Sequence, residues 1–261
     1  MFSRRVAAGM ALMSSAVALA QGAADRPGRP ISFVACPQFR DTARQCWLAE
    51  SGGKTYYIGA FGIGTPPQLL HRVLVEGVAH DDELSCGGIN IDPVHISPLP
   101  ELDYSCDAVL PDNGTAPREG SIFDLPPAVL ARNGSDVPAP PPLRANTSFS
   151  VTFDFDRAVL NLLNQAKVEM IAKAILKSPV RRVIVTGHAG RSRLSDGSRM
   201  LEAPQIADER MRAVSNALIG IGVTAGIVEE HGIDSTAIDA PVSDVDSREV
   251  TVEVLLSQPA R

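Results

Sequence analysis

The sequence predicts an α+β chain in two parts, a small disulfide-bonded β domain followed by a two-layer α/β sandwich. Three observations predict it. Cys36, Cys46, Cys86 and Cys106 all lie in the first half, among short runs of alternating apolar residues. Residues 111–147 are rich in proline, alanine and glycine, and such a stretch buries little. Beyond it, strand-like alternation and helical periodicity succeed one another in the order βαβαββ, which places helices on one face of a sheet. The chain of 261 residues thus divides into 1–24, 25–110, 111–147 and 148–257.

Residues 1–24 read as a secretory signal. Arg4 and Arg5 precede an apolar run from Val6, and Ala18-Leu19-Ala20 offers small residues for cleavage. That run is too short to span a bilayer, so no transmembrane segment is expected in the mature chain. No cysteine follows the cleavage site to carry a lipid.

Asp25 to Ile31 is a lead-in rich in proline and glycine. Four strands are expected after it. Cys46–Glu50 and Lys54–Ile58 form a hairpin through Ser51-Gly52-Gly53. Arg72–Ala79 is the third, with Gly77 marking a bulge or sharp bend. Ile89 to Ile96 is the fourth, and Pro93 confines it to an edge or a break. Strands of this kind, with Tyr-Tyr-Ile-Gly followed by Val-Leu-Val-Glu-Gly, are similar to a small OB-type barrel. Gly59-Ala60-Phe61-Gly62-Ile63-Gly64 is not a nucleotide loop, because Pro66 and Pro67 stand where a helix would begin and no lysine follows.

An even number of cysteines in an exported chain reads as two disulfides, with three pairings open. Zinc is the weaker reading: none of the four sits in a C-x-x-C pair, and His71, His80 and His95 lack ligand spacing.

The second part opens on Ser150–Phe155, alternating as a strand. Asn161–Lys177 carries Leu163, Ala166, Met170, Ile171, Ala174 and Ile175 at helical spacing and is stopped by Ser178-Pro179. Val183, Ile184 and Val185 form a buried strand that closes on Gly187. A polar loop follows, then Pro204 in a first-turn position. A second helix carries Ile206, Val214, Ala217, Leu218 and Ile221, stopped by Gly220 and Gly222. Arg210 falls on the apolar side of that helix, pointing back toward the strand end, and Arg212 points away. A short strand near Ile227–Glu229 precedes the last one, Arg248–Leu256.

These motifs carry a family resemblance. Val185-Thr186-Gly187-His188, the segment Ile206-Ala207-Asp208-Glu209-Arg210-Met211-Arg212-Ala213-Val214 and the strand Ser247-Arg248-Glu249-Val250-Thr251-Val252 resemble the OmpA-like, peptidoglycan-associated C-terminal domain. The resemblance covers about Phe149 to Ser257. It implies a pocket for the diaminopimelate-bearing stem peptide of peptidoglycan, a zwitterion whose carboxylate meets the helix arginine and whose ammonium meets a strand-end acid. Carried onto this chain, the ligand-binding positions are Arg210, Arg248, Gly187, His188 and Gly190.

The chain departs from the family pattern where the acid should stand. The family's Thr-Asp is Ala189-Gly190 here, Ala203 replaces a usual asparagine, and the loop before the helix is longer. Asp196 in the extra loop is the first candidate substitute, with Glu202 and Asp208 behind it. Ordering a loop to deliver one of them costs entropy. Arg191, Arg193 and Arg199 on the same loop would repel an ammonium and favour an anion.

A net charge of −6 with no basic block excludes nucleic acid as a partner. No cofactor, metal or catalytic residue is expected, since His188 has no nucleophile motif around it. Two functions follow from the resemblance. One is a non-catalytic envelope protein of the periplasm, associated with cell wall or outer membrane through peptidoglycan. The other is a degenerate scaffold that binds other envelope proteins and no longer takes diaminopimelate.

Overall fold

Each half of the sequence supplies one main apolar core. The computed structural model describes residues 28–42, 46–59, 63–115, 140–233 and 245–257. The signal segment and linker residues 116–139 lie outside the described residues.

The first half is all β. Its strands are β1 (Arg29–Ala35), β2 (Pro37–Arg40), β3 (Cys46–Ser51), β4 (Lys54–Tyr57), β5 (Ile63–Gly64), β6 (His71–Ser85), β7 (Gly88–Leu102) and β8 (Val109–Leu110). They form one eight-stranded sheet in the order β1-β6-β7-β4-β3-β2-β8, with β5 added beside β7. The expected hairpin is β3–β4, and Gly52 and Gly53 take the positive φ angles (58° and 73°) that its tight turn demands. The β6–β7 ladder shifts register between Gly77 and Ala79, the bulge expected at Gly77. Pro93 lies inside β7 rather than at an edge. It falls beyond the end of the β4 pairing at Asn90 and before β5 joins at His95, and the β6 ladder skips it as well. Its missing N–H therefore costs no ladder bond.

Two expectations need correction. The OB-type barrel is not confirmed: four strands were expected, and the described residues carry eight in one sheet, two of them 15 residues long. Residues Arg29 to Ile31 are not lead-in but the start of β1, whose Ile31, Phe33 and Ala35 alternate into the core. The cysteine pairing is now fixed as Cys36–Cys106 and Cys46–Cys86. The second bridge joins the start of β3 to the turn between β6 and β7, in a small cluster with Leu48 and Tyr57.

The second half has β9 (Thr147–Thr152), α1 (Leu162–Leu176), β10 (Val180–His188), β11 (Arg191–Arg193), β12 (Arg199–Leu201), α2 (Ile206–Ile221), β13 (Val228–Ile233) and β14 (Glu249–Leu256). The sheet runs β13-β10-β14-β9, with β10 and β13 parallel and the other neighbours antiparallel. This is the βαβαββ sandwich read from the sequence, plus a β11–β12 hairpin inside the long polar loop. Val151, Val183, Val185, Val250, Val252 and Val254 project from one sheet face onto Val168, Ile171, Ile175, Met211, Val214 and Leu218 of the helices. Asn161 caps α1, its side chain accepting from the Asn164 amide at 3.0 Å. Helix α2 starts after Pro204, not on it, and Gly222 (φ 119°) ends it; Gly220 remains helical. Gly187 lets α2 lie close on β10, because a Cβ there would sit 2.1 Å from the Ala207 carbonyl oxygen.

The two halves meet. The hairpin turn pairs with β1, Ser195 donating its amide to the Ser32 carbonyl (2.7 Å) while Ser32 donates to the Ser195 hydroxyl oxygen (2.9 Å). The loop after β9 meets β7, with the Phe155 amide donating to Ser97 Oγ (2.9 Å) and Arg157 Nε to the Pro98 carbonyl (2.8 Å).

Candidate functional site

The end of β10, the base of the β11–β12 hairpin, the first turns of α2 and the start of β14 converge where the family resemblance puts the ligand. Arg210 arrives there because it shares the inward face of α2 with Ile206, Met211 and Val214. Its side chain is 0% exposed. The guanidinium packs over the Phe153 ring, 5.4 Å from the centroid.

Every N–H of that guanidinium is spent. Nε donates to the Arg157 carbonyl (2.9 Å), one terminal nitrogen to the His188 carbonyl (3.0 Å) and to Glu202 Oε2 (2.7 Å). The other donates to the Asp154 carbonyl (2.8 Å) and to Glu202 Oε1 (2.5 Å). An arginine has five donors, and five acceptors of this chain receive them. The Glu202 side chain is likewise 0% exposed and binds in the two-pronged mode that suits guanidinium and carboxylate.

The hairpin delivers Glu202. Gly190 precedes β11 and Glu202 follows β12, so the two stand at its base, where the Gly190 amide donates to Glu202 Oε2 (2.6 Å). The Asp156 amide donates to Oε1 (2.7 Å), and Asp156 in turn accepts from the Ala203 amide (2.8 Å). The carboxylate is thus held on both oxygens before Arg210 reaches it. The loop insertion read from the sequence is the device that brings an acid to the arginine, and the acid is Glu202.

Asp196, the first candidate, does not take part. It is at the exposed hairpin tip and accepts from the Ser198 hydroxyl (2.6 Å) and amide (2.8 Å). Those bonds, the hydroxyl's foremost, hold its carboxyl below the usual aspartate range. Asp208 is exposed in the first turn of α2, a favourable place for a negative charge. Arg191, Arg193 and Arg199 are on the hairpin strands, with Arg193 opposite Arg199. His188 contributes its backbone carbonyl.

Gly190 leaves no room for the family's acid. A Cβ there would stand 2.5 Å from Arg248 Cγ and 2.5 Å from Ser247 Oγ. Arg248 is the second buried arginine, its side chain 0% exposed and its guanidinium carbon 5.6 Å from the Phe155 ring centroid. It donates to Glu76 Oε2, and Ser192 Oγ donates to Glu76 Oε1 (2.6 Å). Glu76 belongs to β6 of the other half, 172 residues away in sequence, and its side chain is 0% exposed. It was missed in the sequence. The available signal was one acid in the apolar run Val73–Ala79, a place where a charge survives only with a partner.

A third buried acid, Asp154, accepts from the Thr65 hydroxyl on one oxygen, and its other oxygen is 3.5 Å from His95 Nε2. The other expected non-ligand histidines bond backbone carbonyls, His71 that of Leu99 and His80 that of Asp92, each at 2.8 Å. No helix among the described residues is long and apolar enough to cross a membrane.

No protein-family model matches the chain, and no curated protein sequence does. Solved structures similar to it include the OmpA-like domain of FopA1 from Francisella tularensis, at 18% identity over 44% of this chain and 77% of that one, TM-score 0.36. Another is the cell wall anchor of the T6SS from Pseudomonas aeruginosa, at 18% identity over 43% and 82%, TM-score 0.35. A third is the peptidoglycan-associated lipoprotein from Burkholderia pseudomallei, at 23% identity over 40% and 88%, TM-score 0.32. The similarity falls on the C-terminal portion, where the sequence motifs carry the OmpA-like resemblance.

Proposed function

We propose that this chain is a non-catalytic protein of the bacterial cell envelope whose OmpA-like half is a protein-docking scaffold that no longer takes diaminopimelate. The observation that carries the reading is the closed guanidinium of Arg210, with all five donors satisfied inside the chain. A stem-peptide carboxylate would have to evict Glu202. That would leave a carboxylate buried and unpaired, and breaking a buried ion pair costs about 3–5 kcal/mol. One charge-assisted contact to a ligand returns only about 1.5–3 kcal/mol. The exchange runs uphill.

Export to the periplasm accords with the signal read at residues 1–24 and with two disulfides, which persist in oxidising compartments. Partners are then other envelope proteins, met through surfaces such as the one that already holds the chain's own β half.

Sedimentation with purified sacculi tests the proposal. The parent chain is expected to stay in the supernatant, as is Arg210→Ala. Sedimentation of the parent that Arg210→Ala abolishes, with the variant's circular dichroism unchanged, overturns the docking reading in favour of a peptidoglycan tether.

A further inference from the structure

Where the first half ends, four residues, Asp112-Asn113-Gly114-Thr115, fold back over the turn between β6 and β7. All four are exposed to solvent. In an asparagine–glycine pair the next backbone nitrogen can attack the carboxamide readily, because glycine puts no side chain in the way. Three hydrogen bonds bear on that reaction here. The Gly114 amide donates to Asp112 Oδ1 (2.8 Å), and Asn113 Oδ1 accepts from the Thr115 amide (3.1 Å) and hydroxyl (2.5 Å). The nitrogen that would attack thus holds its proton against a carboxylate, and the carbonyl to be attacked is polarised by two donors. Gly114 has a φ of 75°, and a Cβ on it would meet nothing within 4 Å.

The other end of the carboxamide faces an arginine. With Oδ1 committed to Thr115, Nδ2 stands 3.3 Å from the point over Gly87 where a Cβ would be, and Arg40 Nη1 stands 3.5 Å from the same point. An amide nitrogen and a guanidinium are both donors, so neither satisfies the other. Arg40 Nε is buried with no hydrogen-bond partner among the described residues. A carboxylate at position 113 would answer it.

We propose that Asn113 is a self-modifying asparagine, deamidated in the folded chain by its own neighbours and then held as a carboxylate by Arg40. The Gly114 nitrogen bonds to Asn113 Cγ as its proton passes to the Asp112 carboxylate. The carboxamide oxygen, negative in the tetrahedral intermediate, keeps its two bonds from Thr115. The Cγ–Nδ2 bond then breaks, and ammonia leaves with the proton that Asp112 had taken. What remains is a cyclic succinimide. Water opens it at Cγ to give aspartate, or at the main-chain carbonyl carbon to give isoaspartate. Water is consumed and ammonia released, and no oxidant, reductant or other reagent enters. The product carboxylate turns a meeting of two donors into an ion pair. It does so where β8 pairs with β2, Arg40 opposite Leu110, and beside the Cys46–Cys86 bridge. The site stands independently of the docking reading above.

Timed peptide mapping by mass spectrometry tests this in the full chain. At neutral pH, Asn113 is expected to exchange its amino group for hydroxyl at least about tenfold faster in the folded chain than in the same chain unfolded in urea, a modest share of what a placed base contributes. Asp112→Asn keeps an acceptor for the Gly114 amide but takes no proton. It is expected to bring the folded-chain rate down to the unfolded one. A folded chain whose Asn113 amide outlasts that of the unfolded chain overturns the proposal. So does an Asp112→Asn chain that melts like the parent and deamidates at the parental rate.

Asn113→Asp, which supplies the product outright, provides a second measurement. It is expected to melt about 1–3 °C above freshly prepared parent, the shift that one partly exposed ion pair gives a chain of this size. Combining it with Arg40→Gln is expected to remove that gain. An Asn113→Asp chain that melts at or below the parent shows that Arg40 does not receive the carboxylate, and the proposal falls.

Discussion

Arg210 shows how much a single residue told in advance. Its place on the inward side of a helix was legible, because helical spacing from Ile206 through Val214 fixes which way position 210 faces. What answers it was not, because hydrogen-bond partners at close range depend on loop geometry rather than on spacing. Asp196, Glu202 and Asp208 all precede Arg210 in the sequence, and only the hairpin base selects Glu202. Gly190 was read as the loss of an acid. The structure gives it a positive reason, since Arg248 and Ser247 occupy the space where a side chain would begin. Restoring the family residue with Gly190→Asp is therefore expected to destabilise the chain by about 1–3 kcal/mol through overpacking, read as a fall in melting temperature. It should not create diaminopimelate binding; a stable Gly190→Asp chain that binds sacculi contradicts this account.

At the scale of elements, both helices and the central strands were visible, since burial on one face imposes a period of 3.6 or 2. The stop at Gly222 was visible too, whereas the cap at Asn161 was not singled out. The β11–β12 hairpin was not. Its sequence, RSRLSDGSRM, carries no alternation, because it is stabilised by pairing with β1 of the other half rather than by an apolar face of its own. Strand β1 was lost for the opposite reason, its first residues being masked by Pro30 and Gly28. Asp196 belongs to the hairpin turn, and its carboxyl is depressed chiefly by the Ser198 hydroxyl. A depressed carboxyl stabilises the turn above the ordinary aspartate range, and that contribution disappears as pH falls through the lowered value. Ser198→Ala is expected to bring the Asp196 titration back toward the usual aspartate range. Carbon-detected NMR reads this directly, and an unmoved titration would show that the hydroxyl is not the cause.

Over the whole molecule, the two-part plan and the α/β sandwich were readable, whereas the way the parts meet was not. The resemblance of the β half to an OB-type barrel is not confirmed; the half forms an eight-stranded sheet in which two long bulged strands carry pairing well past the short runs that the apolar pattern marks. One face of that sheet offers Ser32, Glu76, His95 and Ser97, buried polar groups that look out of place until the second half covers them. Such groups are tolerated when bonded, and the side chains of Glu76 and Ser97 find their partners in the loop after β9, the hairpin and the start of β14, while Ser32 meets the hairpin through its backbone amide. The account that emerges is of an OmpA-like fold with both buried arginines answered from within the chain, Arg210 by its own hairpin and Arg248 by the neighbouring half. The arginine side-chain NMR spectrum tests this most directly. With diaminopimelate added, the Nε–H resonance of Arg210 is expected to keep both its position and its slow solvent exchange; a shift in that resonance that saturates with ligand would contradict the account.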